Sequence, residues 1–309
     1  MNKELAFVFP GQGSQQLGML LDLAESYPTI QNTFAEASSI LGYDLWELVQ
    51  NDADQLNQTD KTQPALLTAS VALWRLWQEQ GGTQPAYVAG HSLGEYSALV
   101  CAGVMKFADA VNLVRLRGEY MLEAVPAGEG AMAAIIGLDD EKVIAICSAI
   151  DGVVSAVNFN SPGQVVIAGH TKAVEMAMNA LKEAGAKRAL PLPVSVPSHC
   201  ELMLPAGEKL AKDLESIEFS APTCTLIQNV SAKAVADPSE LKANLVSQLS
   251  KPVLWTQSVD LLVKLGVNKT IECGPGKVLS GLNKRIVKGL DAVSISDKPG
   301  FETVIATSH

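Results

Sequence analysis

The sequence predicts an α/β protein built on a largely parallel sheet and interrupted by a small inserted α+β domain. Two observations carry this. Short apolar runs alternate with longer stretches of helical periodicity, the pattern of strands joined by crossover helices. Between Pro126 and Pro197 the texture changes to strand, helix, strand, turn, strand, helix, strand, which is the split βαβ order of a ferredoxin-like domain. A chain of 309 residues, 48% hydrophobic, is long enough to bury the cores both parts need.

In chain order, Leu5 to Phe9 reads as the first strand and runs into the glycine-rich turn "PGQGSQ". Gln16 to Leu41 has helical periodicity, and Asn51 to Thr62 reads as a loop without assignable function. The stretch "ALLTASVALWRLWQEQG" is a helix, Ala86 to Ala89 a second strand, and a further helix starts at Leu93. Next comes the helix "FADAVNLVRLRGEYMLEAV". The insert is expected over residues 126–196, flanked by Pro126 and by Pro191, Pro193 and Pro197, so the larger domain is discontinuous, 1–125 and 197–309. The tail after Val287 carries no function that these patterns name.

Composition excludes several classes. No apolar stretch approaches the roughly 20 residues of a membrane span, and the N-terminus lacks a signal-peptide pattern, so a cytoplasmic protein is expected. Cys101, Cys147, Cys200, Cys224 and Cys273 form neither a C-x-x-C pair nor a cluster at metal-ligand spacing, which predicts free thiols and no bound metal. A net charge of −10 argues against nucleic-acid binding. The charge is uneven. Lys3 alone opposes nine acids in the first 60 residues, whereas the stretch from Lys264 to Lys298 is basic. That stretch either docks an acidic partner or is simply a solvated face.

The chemistry-bearing motif is "AGHSLGEYSALVCAG". Gly90, Ser92 and Gly94 satisfy G-x-S-x-G between a short strand and a helix, the setting of a nucleophile elbow. The bland alternative is a serine helix cap. A serine nucleophile needs a base. Of the four histidines, His309 is the last residue, His170 falls inside the insert, and His91 adjoins the serine, where side chains diverge; elimination favours His199 in "VSVPSHCELM". Cys200, beside it, reads as a buried thiol. On its helix, Arg117 has Leu113, Val114, Tyr120 and Met121 at the i±3 and i±4 positions, so it projects from the buried face. An inward guanidinium wants an anion, either in a structural ion pair or as a substrate carboxylate. The "PGQGSQ" turn fails the dinucleotide fingerprint, because Gln16 stands where the third glycine belongs. It fits an oxyanion donor better, paired with the Leu93 amide.

Taken together, "FVFPGQGSQ", "TQPALLTAS", "GHSLGEYSALVCAG", "GAMAAIIGL", "VNFNSPGQVVIAG", "LPVSVPSH" and "GPGKVLSGLNKRI" resemble the bacterial malonyl-CoA:acyl carrier protein transacylases of type II fatty acid synthesis, in order along nearly the whole chain. The resemblance implies an α/β-hydrolase-like large domain carrying a ferredoxin-like small one, with the active site between them. It implies Ser92 as acylated nucleophile, His199 as its base and Arg117 as the clamp for the malonyl carboxylate. The backbone amides of Gln12 and Leu93 would form the oxyanion hole, and the main-chain carbonyl of Gln248 would orient His199. Gln63, His91 and Asn160 match positions at or near the pocket. No cofactor is implied beyond the substrates, malonyl-CoA and phosphopantetheinylated acyl carrier protein, and a monomer is expected. The acidic carrier would dock on Lys284, Arg285 and Lys288, or on Lys187 and Arg188. The rival readings are a serine thioesterase or esterase on the same fold and a non-catalytic docking subunit.

Overall fold

The computed structural model describes residues 1–194 and 196–308; His309, set aside on sequence, lies outside the described residues. Strand β1 (Asn2–Phe9) is buried from Leu5 onward, with Phe7 edge-on to Trp74 and Trp77 at 5.2 Å. The Gln16–Leu41 stretch is not one helix. A turn precedes a short α1 (Leu21–Ala24), and α2 (Pro28–Leu41) restarts at Pro28, whose missing N–H is tolerated only in a first turn.

The Asn51–Thr62 stretch is also not a loop. After α3 (Leu45–Asn51), Asp52 caps α4 (Ala53–Leu56), and α5 (Thr59–Glu79) begins at Thr59. Strand β2 (Pro85–Gly90) leads into α6 (Gly94–Cys101), and α7 (Phe107–Ala124) packs along α5. Gly118 permits that packing: a Cβ there would lie 2.7 Å from the Asp60 Cα.

The next six elements are β3 (Gly130–Ile136), α8 (Asp140–Ala149), β4 (Val154–Ser161), β5 (Gln164–His170), α9 (Thr171–Glu183) and β6 (Arg188–Pro191). They form a four-stranded antiparallel sheet in the order β4-β5-β3-β6, the strand arrangement expected from the split βαβ reading. Its own core includes Ile135, Val165, Ile167, Val174 and Leu181. The β4 edge does not face solvent. Val253 pairs beside Asn158, with Phe159 N donating to Val253 O at 3.0 Å, so the segment from the larger body covers the edge.

The chain returns through a 3₁₀ turn at Glu201–Met203 into α10 (Leu204–Ser216), β7 (Thr225–Gln228), β8 (Lys233–Val235), α11 (Pro238–Gln248), α12 (Trp255–Lys264), β9 (Lys269–Glu272) and α13 (Val278–Ile286). The stretch after Val287 is no loose tail: β10 (Asp291–Ser294) joins the sheet, and α14 (Lys298–Ala306) buries Phe301 and Val304. The six-stranded sheet runs β10-β9-β1-β2-β7-β8, all parallel except the β7–β8 pair. The carboxyl ends of β1, β2 and β7 therefore lie side by side, where ligands gather on such sheets.

Candidate active site

Each of those three strand ends contributes. Beyond β2, Ser92 takes φ 51°, a left-handed conformation that costs a non-glycine residue on the order of 1–3 kcal/mol and turns the side chain out of the sheet. Gly94 makes the elbow feasible, since a Cβ there would lie 2.0 Å from the Phe9 carbonyl oxygen on β1. His91 and Ser92 diverge as expected of neighbours at a sharp turn. The His91 ring reaches Asn160 on β4, Nε2 to Oδ1 at 2.7 Å, while Ser92 Oγ meets His199 Nε2 at 2.8 Å.

His199 is held by the end of α11. Its backbone N–H donates to Leu249 O at 2.9 Å, and its Nδ1 lies 2.6 Å from Gln248 O. These are among the carbonyls a helix C-terminus leaves without intrahelical partners. The bond to Gln248 fixes the tautomer with the proton on Nδ1, so Nε2 accepts from the serine hydroxyl. Among the described residues no carboxylate meets Nδ1; the partial negative charge of the helix end there favours a positive charge on the ring. Burial drives the His199 pKa down to about 3, the nearby Arg117 charge adds to the depression, and the Gln248 carbonyl opposes both. His170 is exposed at the end of β5, and Cys200 is buried with its thiol on the Pro197 carbonyl, so neither joins the site.

Arg117, 1% exposed, enters from α7. Its Nη1 donates to Gln63 Oε1 at 2.8 Å and its Nη2 to Gln248 Oε1 at 3.0 Å, while Nη2 lies 3.5 Å from Ser92 Oγ. Among the described residues it forms no salt bridge, and its buried Nε has no hydrogen-bond partner. The structural ion pair left open on sequence is therefore not made. Arg115 behaves oppositely, pairing with Glu119 on the solvent side. Burial lowers the Arg117 pKa, and among the described residues only neutral oxygens, the Gln63 and Gln248 amides and the Ser92 hydroxyl, accept from it. An unpaired buried cation costs several kcal/mol, which an incoming carboxylate recovers.

Beyond β1, the turn brings Gln12 to the cavity opposite Leu93. Among the described residues neither backbone amide donates a hydrogen bond, whereas Ser92 N–H is already taken by Asn229 Oδ1 at 2.7 Å. The Gln12 side chain points elsewhere, Nε2 to Thr59 Oγ1 at 3.3 Å, which gives the supposed loop a supporting role. Gly11 fits against His91: a Cβ would sit 2.4 Å from its carbonyl oxygen. We expect Gly11→Ala to slow serine acylation about 10²-fold, comparable to losing an oxyanion donor. Gln12→Ala, which keeps the amide, should stay within about threefold; equal single-turnover rates for the two variants would remove the turn from the reaction.

The cavity itself is walled by Gln12, Ser92, Leu93, Arg117, Met132 and His199, so it opens between the two sheets. Gln63, Gln248 and Asn160 stand behind that wall, holding Arg117, His199 and His91, and Asn158 rather than Asn160 faces the cavity. Sequence reasoning missed Asn229 and Glu95. The only signal was a polar "QN" at the end of an apolar strand and an acid directly after the G-x-S-x-G motif. Among the described residues no cluster of three or more His, Cys, Asp or Glu could hold a metal, and no helix is long and apolar enough to cross a membrane.

The fold and this geometry define an enzyme of the serine acyl-transfer class. The acyl transferase domain family matches residues 6–295. The chain is 62% identical to the malonyl CoA-acyl carrier protein transacylase of Salmonella typhimurium over 305 residues, 98% of this chain and 99% of the relative. It is 47% identical to the transacylase of that name from Bacillus subtilis over 308 residues, 98% and 97% of the two chains. Among solved structures, an acyl carrier protein S-malonyltransferase from Vibrio cholerae superposes with a TM-score of 0.95 at 60% identity, covering 97% of this chain and 99% of that one. A malonyl-transacylase in complex with a type II PKS acyl-carrier protein gives 0.97 at 56% identity, covering 98% and 99%. The chain belongs to the malonyl-CoA:acyl carrier protein transacylase family.

Proposed function

We propose that this protein transfers the malonyl group from malonyl-CoA to the phosphopantetheine thiol of acyl carrier protein through an acyl-enzyme on Ser92, supplying malonyl units for fatty acid synthesis. The observation that carries this is Arg117: a buried guanidinium with no carboxylate partner among the described residues, 3.5 Å from Ser92 Oγ. A dicarboxylic half-thioester satisfies both features at once, its carboxylate on Arg117 and its thioester carbon at the serine.

In the first half-reaction, Ser92 Oγ attacks the thioester carbon as its proton passes to His199 Nε2. The carbonyl oxygen becomes an oxyanion facing the Gln12 and Leu93 amides. The C–S bond breaks, and the coenzyme A thiolate takes the proton from Nε2. The carrier thiol then gives its proton to His199 Nε2 and attacks the malonyl ester carbon; as the tetrahedral intermediate collapses, the ester C–O bond breaks and His199 Nε2 returns the proton to Ser92 Oγ. All groups needed belong to the chain and its substrates, so the reading calls for no resident cofactor.

For the carrier we propose the exposed cations Lys284 and Arg285 at the end of α13 with Lys288 beyond it, or Lys187 and Arg188 at the start of β6. Reversing each cluster in turn and reading the KM for the carrier at low salt distinguishes them. We place the reaction in the cytoplasm, with the protein acting as a monomer. Intact-mass analysis after mixing with malonyl-CoA tests the reading: one malonyl adduct on the Ser92 peptide is expected, absent from Ser92→Ala. Coenzyme A release that runs equally fast without an acceptor thiol would point to a thioesterase instead.

A further inference from the structure

The strain at Ser92 needs a counterforce, and the end of β7 supplies it. Asn229, 1% exposed, has all its polar groups engaged at the elbow or its support. Its Oδ1 accepts the Ser92 N–H at 2.7 Å and its Nδ2 donates to Gly90 O at 2.6 Å, so one side chain brackets the turn from both sides. Its own N–H donates to Glu95 Oε2 at 2.8 Å, and its carbonyl accepts from Leu254 N at 3.1 Å. Glu95 is equally buried, with its second oxygen accepting from Gln228 Nε2 at 2.9 Å, and Gln228 is fixed by Asn244 at 2.7 Å.

We propose that Asn229, anchored by Glu95, is the positioning residue of the nucleophile: its side-chain amide holds the elbow in the left-handed turn, keeping Ser92 Oγ on His199 and assigning the oxyanion to the Leu93 amide. This rests on the reading of Ser92 as nucleophile. Three features support it. The Ser92 amide is the donor nearest the nucleophile in the chain, and Asn229 occupies it, which leaves the next amide free. Gln248 is tied into the same bracket, Nε2 to Ser92 O at 2.9 Å and to Asn229 Oδ1 at 3.4 Å, so serine and base share one support. Both Glu95 oxygens face donors, the arrangement of a carboxylate, and those bonds work against the burial that raises its pKa to about 7. A charged acid buried only to fill space would be replaced at little cost, whereas one that fixes a bracket at the serine has a reason to stay.

The role is distinguishable from substrate affinity by kinetics: Arg117 has a bond to Gln63 outside the bracket, while its bond to Gln248 touches it. The test uses the full chain and two readouts: the rate at which a fluorophosphonate labels Ser92, which needs no malonyl substrate, and kcat and KM with malonyl-CoA. Asn229→Ala is expected to slow labelling and kcat about 10²-fold, the scale of a misplaced nucleophile, with KM changed less than about threefold. Glu95→Gln keeps the size but sets an amide N–H against the Gln228 donor, and about a tenfold loss in the same two rates is expected. Labelling within threefold of the parent in both folded variants overturns the proposal. So does a loss in which KM rises in step with the fall in kcat, or failure of both variants to fold, since each places the pair in general architecture. If the parent labels at Ser92 but takes no malonyl group, the malonyl reading fails while the positioning role is still read from labelling.

Discussion

Arg117→Ala is expected to lower kcat/KM for malonyl-CoA by about 10³ while leaving acetyl-CoA within a few-fold, so that the enzyme loses its preference for a charged acyl group. The size follows from what alanine leaves behind. In the variant the malonyl carboxylate would enter the cavity between the two sheets and find no cation at the Arg117 position, and leaving one partner of a buried charge pair alone costs about 2–5 kcal/mol. Gln63 Oε1 and Gln248 Oε1, which now accept from the guanidinium, lose their donors and offer the carboxylate only lone pairs. An acetyl group has no charge to strand. Arg117→Lys should recover only part of the loss, because an ammonium cannot meet two amide oxygens and a carboxylate in the planar fork a guanidinium provides. Steady-state kinetics with both thioesters decides it; an unchanged malonyl-to-acetyl ratio in the alanine variant would remove Arg117 from specificity.

How much of this was legible in the sequence differs by residue type. Ser92 and the elbow were readable because the motif is local: glycines, a short strand and a helix start lie within a dozen residues. Arg117 was readable as buried from its helical neighbours, but its lack of an acidic partner among the described residues was not, because that depends on what α5 and α11 bring to it from 54 and 131 residues away. His199 came by elimination, and the identity of its partner came from resemblance, since a backbone carbonyl leaves no side-chain trace. Asn229 was invisible for a topological reason. It reaches Ser92 only because β7 lies next to β2, a pairing of strands 137 residues apart at the point of contact. The short helix in 51–62 and the β10–α14 end were misread because interleaved polar residues hid the apolar positions that anchor them, Leu56 in the first and Leu290, Ala292, Ile295, Phe301 and Val304 in the second.

The second large effect belongs to His199. Its replacement by alanine removes the only base in contact with Ser92 Oγ among the described residues, and a loss of about 10⁴–10⁶ in acylation rate is expected. More informative is the pH profile of the intact enzyme. In the proposed mechanism the neutral imidazole acts as the base, and burial plus the Arg117 charge hold the folded pKa at about 3, below the ordinary histidine value of about 6.5. The acidic limb of kcat/KM, which reports the free enzyme, should therefore fall well below the usual histidine range. In the loaded enzyme the malonyl carboxylate neutralises Arg117, one cause of the depression disappears, and the limb of kcat moves to higher pH than that of kcat/KM. Arg117→Ala should shift the kcat/KM limb the same way. Stability follows with a fixed sign: between about pH 6.5 and 3 the unfolded chain binds a proton that folded His199 does not. Its contribution is thus complete above about 6.5 and is lost as the pH falls toward 3. Measuring kcat and kcat/KM from mildly acidic to neutral pH tests the coupling, and an ordinary histidine limb in kcat/KM of the parent, unmoved in Arg117→Ala, would break it.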